Sequence, residues 1–154
     1  MTKVSEKLVR ALESDDACDL GRVIKEGKQE DFEALRSLLS LEPGIKPEHV
    51  NKAIYALGRW GDPAPVATIR SILPQLDEAG RISAIDALGR LGTKEALDGV
   101  LDHVDDSSPH VRKFVTRALG RINTPKAKAK LKEIEAKEKV DYVRATAAKY
   151  LRSE

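Results

Sequence analysis

The sequence predicts an all-α array of helical repeats, and three observations carry that prediction. The heptad Ala56-Leu57-Gly58-Arg59-Trp60-Gly61-Asp62 returns as Ala87-Leu88-Gly89-Arg90-Leu91-Gly92-Thr93 and as Ala118-Leu119-Gly120-Arg121-Ile122-Asn123-Thr124, 31 residues apart each time. A period of about 20–50 residues marks a solenoid, in which each unit buries its apolar face only against its neighbours. Apolar residues elsewhere recur at helical steps of three and four, and no alternating run suggests a strand. Finally, the 154 residues are 41% hydrophobic but only 4% aromatic, which suits helices packed through Ala, Leu, Ile and Val.

The heptad reads as a helix end, a short turn and a new helix. Trp60, Leu91 and Ile122 fill one large apolar slot. Gly61, Gly92 and Asn123 follow, residue types that tolerate the left-handed conformation closing a helix. Asp62, Thr93 and Thr124 are N-cap types, and Pro63 and Pro125 are expected at the first helical position, which needs no amide. The inner glycines Gly58, Gly89 and Gly120 each cost about 1 kcal/mol against alanine in a helix. Their recurrence in register predicts that a neighbouring helix passes close by.

In chain order, residues 3–13 place Val4, Leu8, Val9 and Leu12 on one face of an opening helix. Asp15-Asp16 start a helix through Leu20, Val23 and Ile24 to Gly27, with Gly21 weakening its regularity. The next helix aligns at an offset of 34 with the one after Gly61, so that Phe32, Leu35, Leu38 and Leu39 fall on Val66, Ile69, Ile72 and Leu73. Residues 42–47, with two prolines and a glycine, form a loop. Helices 48–60, 63–73 (stopped by Pro74), 78–91, 94–104, 109–122 (capped by Ser108), 125–138 and 140–152 follow. The organisation is one domain over 1–154: a capping helix 1–14, hairpins 15–41, 46–75, 77–105 and 108–138, and a capping helix 140–154, about five hairpins in all. The positions equivalent to Leu97, Leu101 and Val104 are Lys128, Lys132 and Glu135 in helix 125–138, a polar outer face that predicts the array closes there.

Composition narrows the function. The net charge is +2, but residues 1–108 carry 14 Lys/Arg and 20 Asp/Glu, whereas residues 109–154 carry 13 and 5. Uneven charge of this kind suits a partner at either end or end-to-end association. The single Cys18 permits no internal disulfide and, beside Asp19, is a poor thiolate. His103 and His110 lie across one inter-repeat turn without an evident carboxylate or thiol partner, which argues against a metal site. No apolar leader or membrane-length run occurs, so a cytoplasmic protein is expected.

Pro109-His110-Val111-Arg112, followed by Ala118-Leu119-Gly120-Arg121, resembles the HEAT-like repeat of the phycobilisome-lyase type, and the likeness covers roughly residues 20–152. The resemblance implies a right-handed α-solenoid whose first helices form the convex wall and whose second helices line the concave one. Its members include accessory subunits of bilin lyases, iron-binding hydroxylases and interaction modules, so fold does not fix function. The hydroxylases use His-Glu pairs as iron ligands; here His49, His103 and His110 are never followed by Glu. HEAT-like DNA glycosylases work with concave aromatics, whereas the few aromatics here fall mostly at core positions.

On that geometry, the faces of the second helices turned away from the apolar stripe would line the groove. They place there Glu33 and Ser37, then Thr68 and Ser71 beside Ala64 and Ala67, then Glu95, Asp98 and Asp102, and finally Lys126 and Lys130. The expectation is a non-enzymatic scaffold, monomeric or weakly oligomeric, without metal or cofactor, that holds a protein or peptide between acidic walls. The alternatives are an accessory subunit of a bilin lyase and nucleic-acid binding through the basic C-terminal end. Against the last, the alternation Lys126-Lys128-Lys130-Lys132 sends successive lysines about 200° apart on a helix, which disperses their charge. Arg59, Arg90 and Arg121 form a ladder; an anion-binding row is one reading, but helix-end positions predict that they bond the last carbonyls.

Overall fold

The computed structural model describes residues 5–153; Lys3 and Val4, which begin the first predicted helix, lie outside them. Ten α-helices run along the described chain, with no strand among those residues: α1 (Glu6–Glu13), α2 (Ala17–Glu26), α3 (Gln29–Ser37), α4 (Pro47–Trp60), α5 (Val66–Ile72), α6 (Glu78–Leu91), α7 (Lys94–Leu101), α8 (Pro109–Ile122), α9 (Pro125–Lys137) and α10 (Asp141–Arg152). Two 3₁₀ turns, Leu38–Ser40 and Leu73–Gln75, extend α3 and α5. The first helices α4, α6, α8 and α10 stack on one another, α5 packs on α7, α6 and α8 pack on their second helices α7 and α9, and α3 and α5 pack on the next first helices, α4 and α6. This is an α-solenoid with one continuous core, running from Leu8 through Leu57, Leu88 and Leu119 to Ala147.

The recurring glycines set the spacing of the first helices. A Cβ on Gly58 would lie 2.7 Å from both Cα and Cβ of Ala87, and one on Gly89 would lie 2.8 Å from Ala118 Cβ and 2.9 Å from its Cα. Each Gly therefore meets the Ala that opens the same heptad one repeat later. In the last repeat Tyr150 takes the alanine's place, and its ring lies over Gly120. Gly61, Gly92 and Asn123 close their helices at φ of 85°, 64° and 55°, as the turn pattern predicts. Thr93, Ser108 and Thr124 cap α7, α8 and α9 by accepting from the amides of Ala96, Val111 and Ala127.

Several boundaries depart from expectation. Asp62 and Pro63 do not begin α5: Asp62 accepts from the Ala64 amide at 2.9 Å, and the helix starts only at Val66. The second proline, Pro65, has no amide and disfavours helical backbone at Ala64, so the start is delayed. The helix expected over 94–104 ends at Leu101, and residues 102–105 are turn. Gly21 does not interrupt α2.

A clamp that the heptad does not announce joins successive repeats. Arg81 of α6 donates through Nε and Nη2 to the Asp106 carboxylate (3.0 and 3.2 Å) and through Nη1 to the Leu76 carbonyl. One repeat on, Arg112 of α8 donates in the same way to Glu138 (3.1 and 3.1 Å) and to the Asp106 carbonyl. Arg144 of α10 keeps the carbonyl bond, to Glu138, but its carboxylate is Asp141 on its own helix.

Asp31 stands apart. It is buried in the first turn of α3, and its Oδ1 has no hydrogen-bond partner among the described residues. Helix-dipole attraction at that position contributes about 0.5–1 kcal/mol, less than the cost of burying an unpartnered carboxylate. Asp31→Asn is therefore expected to raise the melting midpoint by about 2–4 °C, equivalent to about 1 kcal/mol. A lower midpoint in a thermal scan would show that the charge is stabilising.

Candidate functional site

The second helices present the residues that the sequence assigns to a groove. Glu33, Ser37, Thr68, Ser71, Glu95, Asp102 and Lys126 are exposed, and Asp98 and Lys130 are half-buried. Few of their side chains are free. Arg70 of α5 bonds Asp102 (3.1 Å), and Asp98 of α7 accepts from Lys126 of α9 (3.0 Å), which holds its carboxyl below the usual carboxylate range. Lys130 is paired with Glu133, and Glu33 accepts from Gln29. Ser37 and Ser71 turn their hydroxyls back to the carbonyls of Ala34 and Thr68. The ion pairs therefore tie α5, α7 and α9 into one row, and the acidic wall at Asp98 and Asp102 is already neutralised. Thr68 and Glu95 remain without side-chain partners among the described residues.

The arginine ladder is neither a row of carbonyl caps nor three separate cations. Arg59, Arg90 and Arg121 converge on the one carboxylate of Asp86, at 3.6, 2.9 and 3.4 Å. Asp86 sits in α6 where α4 has Tyr55 and α8 has Arg117, so the heptad alone does not flag it. The Arg59 guanidinium also lies 3.5 Å from the centroid of the Tyr55 ring.

A groove of about 340 Å³ lies on this first-helix side, where Asp15, Asp16 and Leu20 face Lys52, Tyr55 and Ser83. Lys52 closes its floor by donating to the carbonyls of Leu12 and Ser14. Cys18 is exposed nearby, its thiol pushed up by the Asp16 carboxylate, which agrees with an unreactive cysteine.

The histidines diverge. His103 turns towards Asp106 (Nδ1 to Oδ2 3.6 Å), and His110 stacks on Tyr142 with centroids 5.9 Å apart. Trp60 packs in its apolar slot against Phe32. Among the described residues no cluster of three or more His, Cys, Asp or Glu side chains could hold a metal ion, and no helix is long and apolar enough to cross a membrane.

A family model described as HEAT repeats matches residues 66–152, from the start of α5 to the end of α10. The match is to the general repeat and does not specify the phycobilisome-lyase type. No curated protein matches the chain significantly.

Proposed function

The chain belongs to the HEAT-repeat family, and from that premise we propose that it is a non-enzymatic, cytoplasmic scaffold holding a protein or peptide across its second helices. HEAT repeats commonly mediate protein interactions, and the observation that carries this reading is the second-helix row itself. None of Glu33, Ser37, Thr68, Ser71, Glu95, Asp98, Asp102, Lys126 and Lys130 is buried, and ion pairs hold their helices in register. A surface with little freedom to lose binds at a smaller entropic cost. Ala64, Ala67, Thr68 and Ser71, all small and exposed, leave room for a partner's larger side chains. An accessory role in a bilin lyase rests on the repeat motif alone.

The ion pairs decide which variants test this. Charge reversal at Asp98 or Asp102 would also break a bond between repeats, whereas Thr68 and Glu95 can change without losing an internal contact. In affinity co-purification from the source lysate, Thr68→Arg and Glu95→Lys are each expected to lose at least about tenfold of the retained partner while melting stays within about 0.5 kcal/mol of wild type. Identical capture by wild type and both variants would remove the second-helix face as the binding surface.

A further inference from the structure

The opposite face, built from the first helices, carries a run of cations that scaffolding by the second helices does not use. Between α8 and α10 lies a pocket of about 250 Å³ lined by Lys113, Arg117, Thr146, Lys149 and Tyr150. Among the described residues none of its three cations is paired with a carboxylate. Lys113 lies 5.9 Å from the centroid of the Tyr142 ring, and Arg117 lies 4.9 Å from that of Phe114. Arg121 is one helical turn beyond Arg117 on α8, and from it the positive row continues through Arg90 to Arg59. Of these six cations on four first helices, the three arginines of the ladder meet one carboxylate, Asp86, and the three of the pocket meet none among the described residues. Arg59 Nη1 is buried and, at 3.6 Å from Asp86 Oδ2, makes no hydrogen bond among the described residues. The row stops where Asp15 and Asp16 line the groove beside Tyr55.

We propose that this face binds the phosphodiester backbone of a nucleic acid, with one phosphate seated among Lys113, Arg117 and Lys149 and the strand running across Arg121 and Arg90 towards Arg59. Among the described residues the face lacks the aliphatic centre that a protein partner needs to build a buried core; the exposed large apolar residues there are Tyr55 and Tyr142. A polyanion needs no such core, because counterion release drives its binding and a linear row of cations matches a linear row of phosphates. Phe114 and Tyr150 pack against the core, whereas Tyr55 and Tyr142 are exposed beside the cations and suit a single strand, whose bases have faces free to stack. The lysines of α9 are not part of this surface: Lys126 and Lys130 are paired with Asp98 and Glu133 on the second-helix side.

The test is fluorescence anisotropy with labelled 20-nucleotide single-stranded DNA, single-stranded RNA and duplex DNA, from about 20 to 200 mM salt. Wild type is expected to bind at low salt, with a log–log salt slope near −3 for about four phosphate contacts. The triple variant Lys113→Ala, Arg117→Ala, Lys149→Ala is expected to lose at least about tenfold in affinity and about 0.7 unit of slope, the share of the one phosphate seated there. Lys126→Ala, Lys130→Ala should bind as wild type does. The three probes identify which nucleic acid is preferred, and binding of any one supports the assignment. Failure of all three at low salt overturns it, as does a triple variant that binds unchanged while melting normally. Competition by a polyglutamate peptide as effective as by the oligonucleotide also overturns it, in favour of an acidic protein segment.

Discussion

Gly89→Val is expected to lower the melting midpoint by about 6–12 °C, the loss of about 3 kcal/mol in a domain of this size. The physical reason is the absence of any give at the contact. A Cβ on Gly89 would lie 2.8–2.9 Å from the Cβ and Cα of Ala118, atoms fixed by the backbone of α8. Valine adds two further methyl groups, so α6 and α8 must separate, and overpacking of this kind costs about 1–3 kcal/mol or more. The gain in helix propensity on replacing glycine, at most about 1 kcal/mol, offsets only part of that. Two companions give the measurement its meaning. Gly21 has nothing within 4 Å of where a Cβ would lie, so Gly21→Ala should raise the midpoint slightly. At Gly120 the obstacle is the Tyr150 ring on the last helix, which can rotate away where backbone cannot, so Gly120→Ala should cost less than Gly89→Val. A Gly89→Val protein that melts with wild type would mean that the glycine ladder does not set the helix spacing.

That ladder also shows where the sequence was legible. Glycine at one heptad position is costly in a helix, and its exact recurrence has few explanations other than close approach; Ala87 and Ala118, at fixed register in the same heptad, are what it approaches. Helix ends at Gly61, Gly92 and Asn123 were legible for the same reason, because a positive φ selects few residue types. Partnerships between side chains from different repeats were harder to read. Asp86 gathers three arginines because α6 places it between their rungs, and Tyr55 and Arg117 at the same register give no hint of it. The acidic wall that the sequence predicts at Asp98 and Asp102 is neutralised by Lys126 and Arg70, which lie 28 and 32 residues away and so outside any local pattern. Periodicity reports what repeats; the aspartates that make these pairs, Asp86, Asp98 and Asp102, do not.

Arg112→Met is the second substitution with a large expected effect, a loss of about 2–4 kcal/mol at neutral pH. It removes both guanidinium bonds to Glu138 and the one to the Asp106 carbonyl, and it leaves a mostly buried carboxylate held by only the Val140 and Lys139 amides among the described residues. Changing both partners to apolar residues, Arg112→Met with Glu138→Leu, should recover much of that loss, because the larger part of it is the stranded charge rather than the bond. A double-mutant cycle read by thermal melting separates the two. The same clamp gives a signed pH dependence. The Arg112 guanidinium holds the Glu138 carboxyl below its ordinary value of 4.5, against the opposing effect of burial. At Asp106 burial would raise the carboxyl, but the Ser108 amide, Arg81 and His103 outweigh it and hold it below 3.8. Both carboxyls are thus more acidic folded than unfolded, so as pH falls the unfolded chain takes up protons first. Their contribution is fully present above about pH 5 and is lost progressively as pH falls through 4.5 and 3.8 towards the depressed folded values. Arg112→Met should therefore lie furthest below wild type at neutral pH and converge on it in acid. A constant gap between the two melting curves from pH 7 to 3 would show that Arg112 acts through packing of its stem rather than through its charge on Glu138.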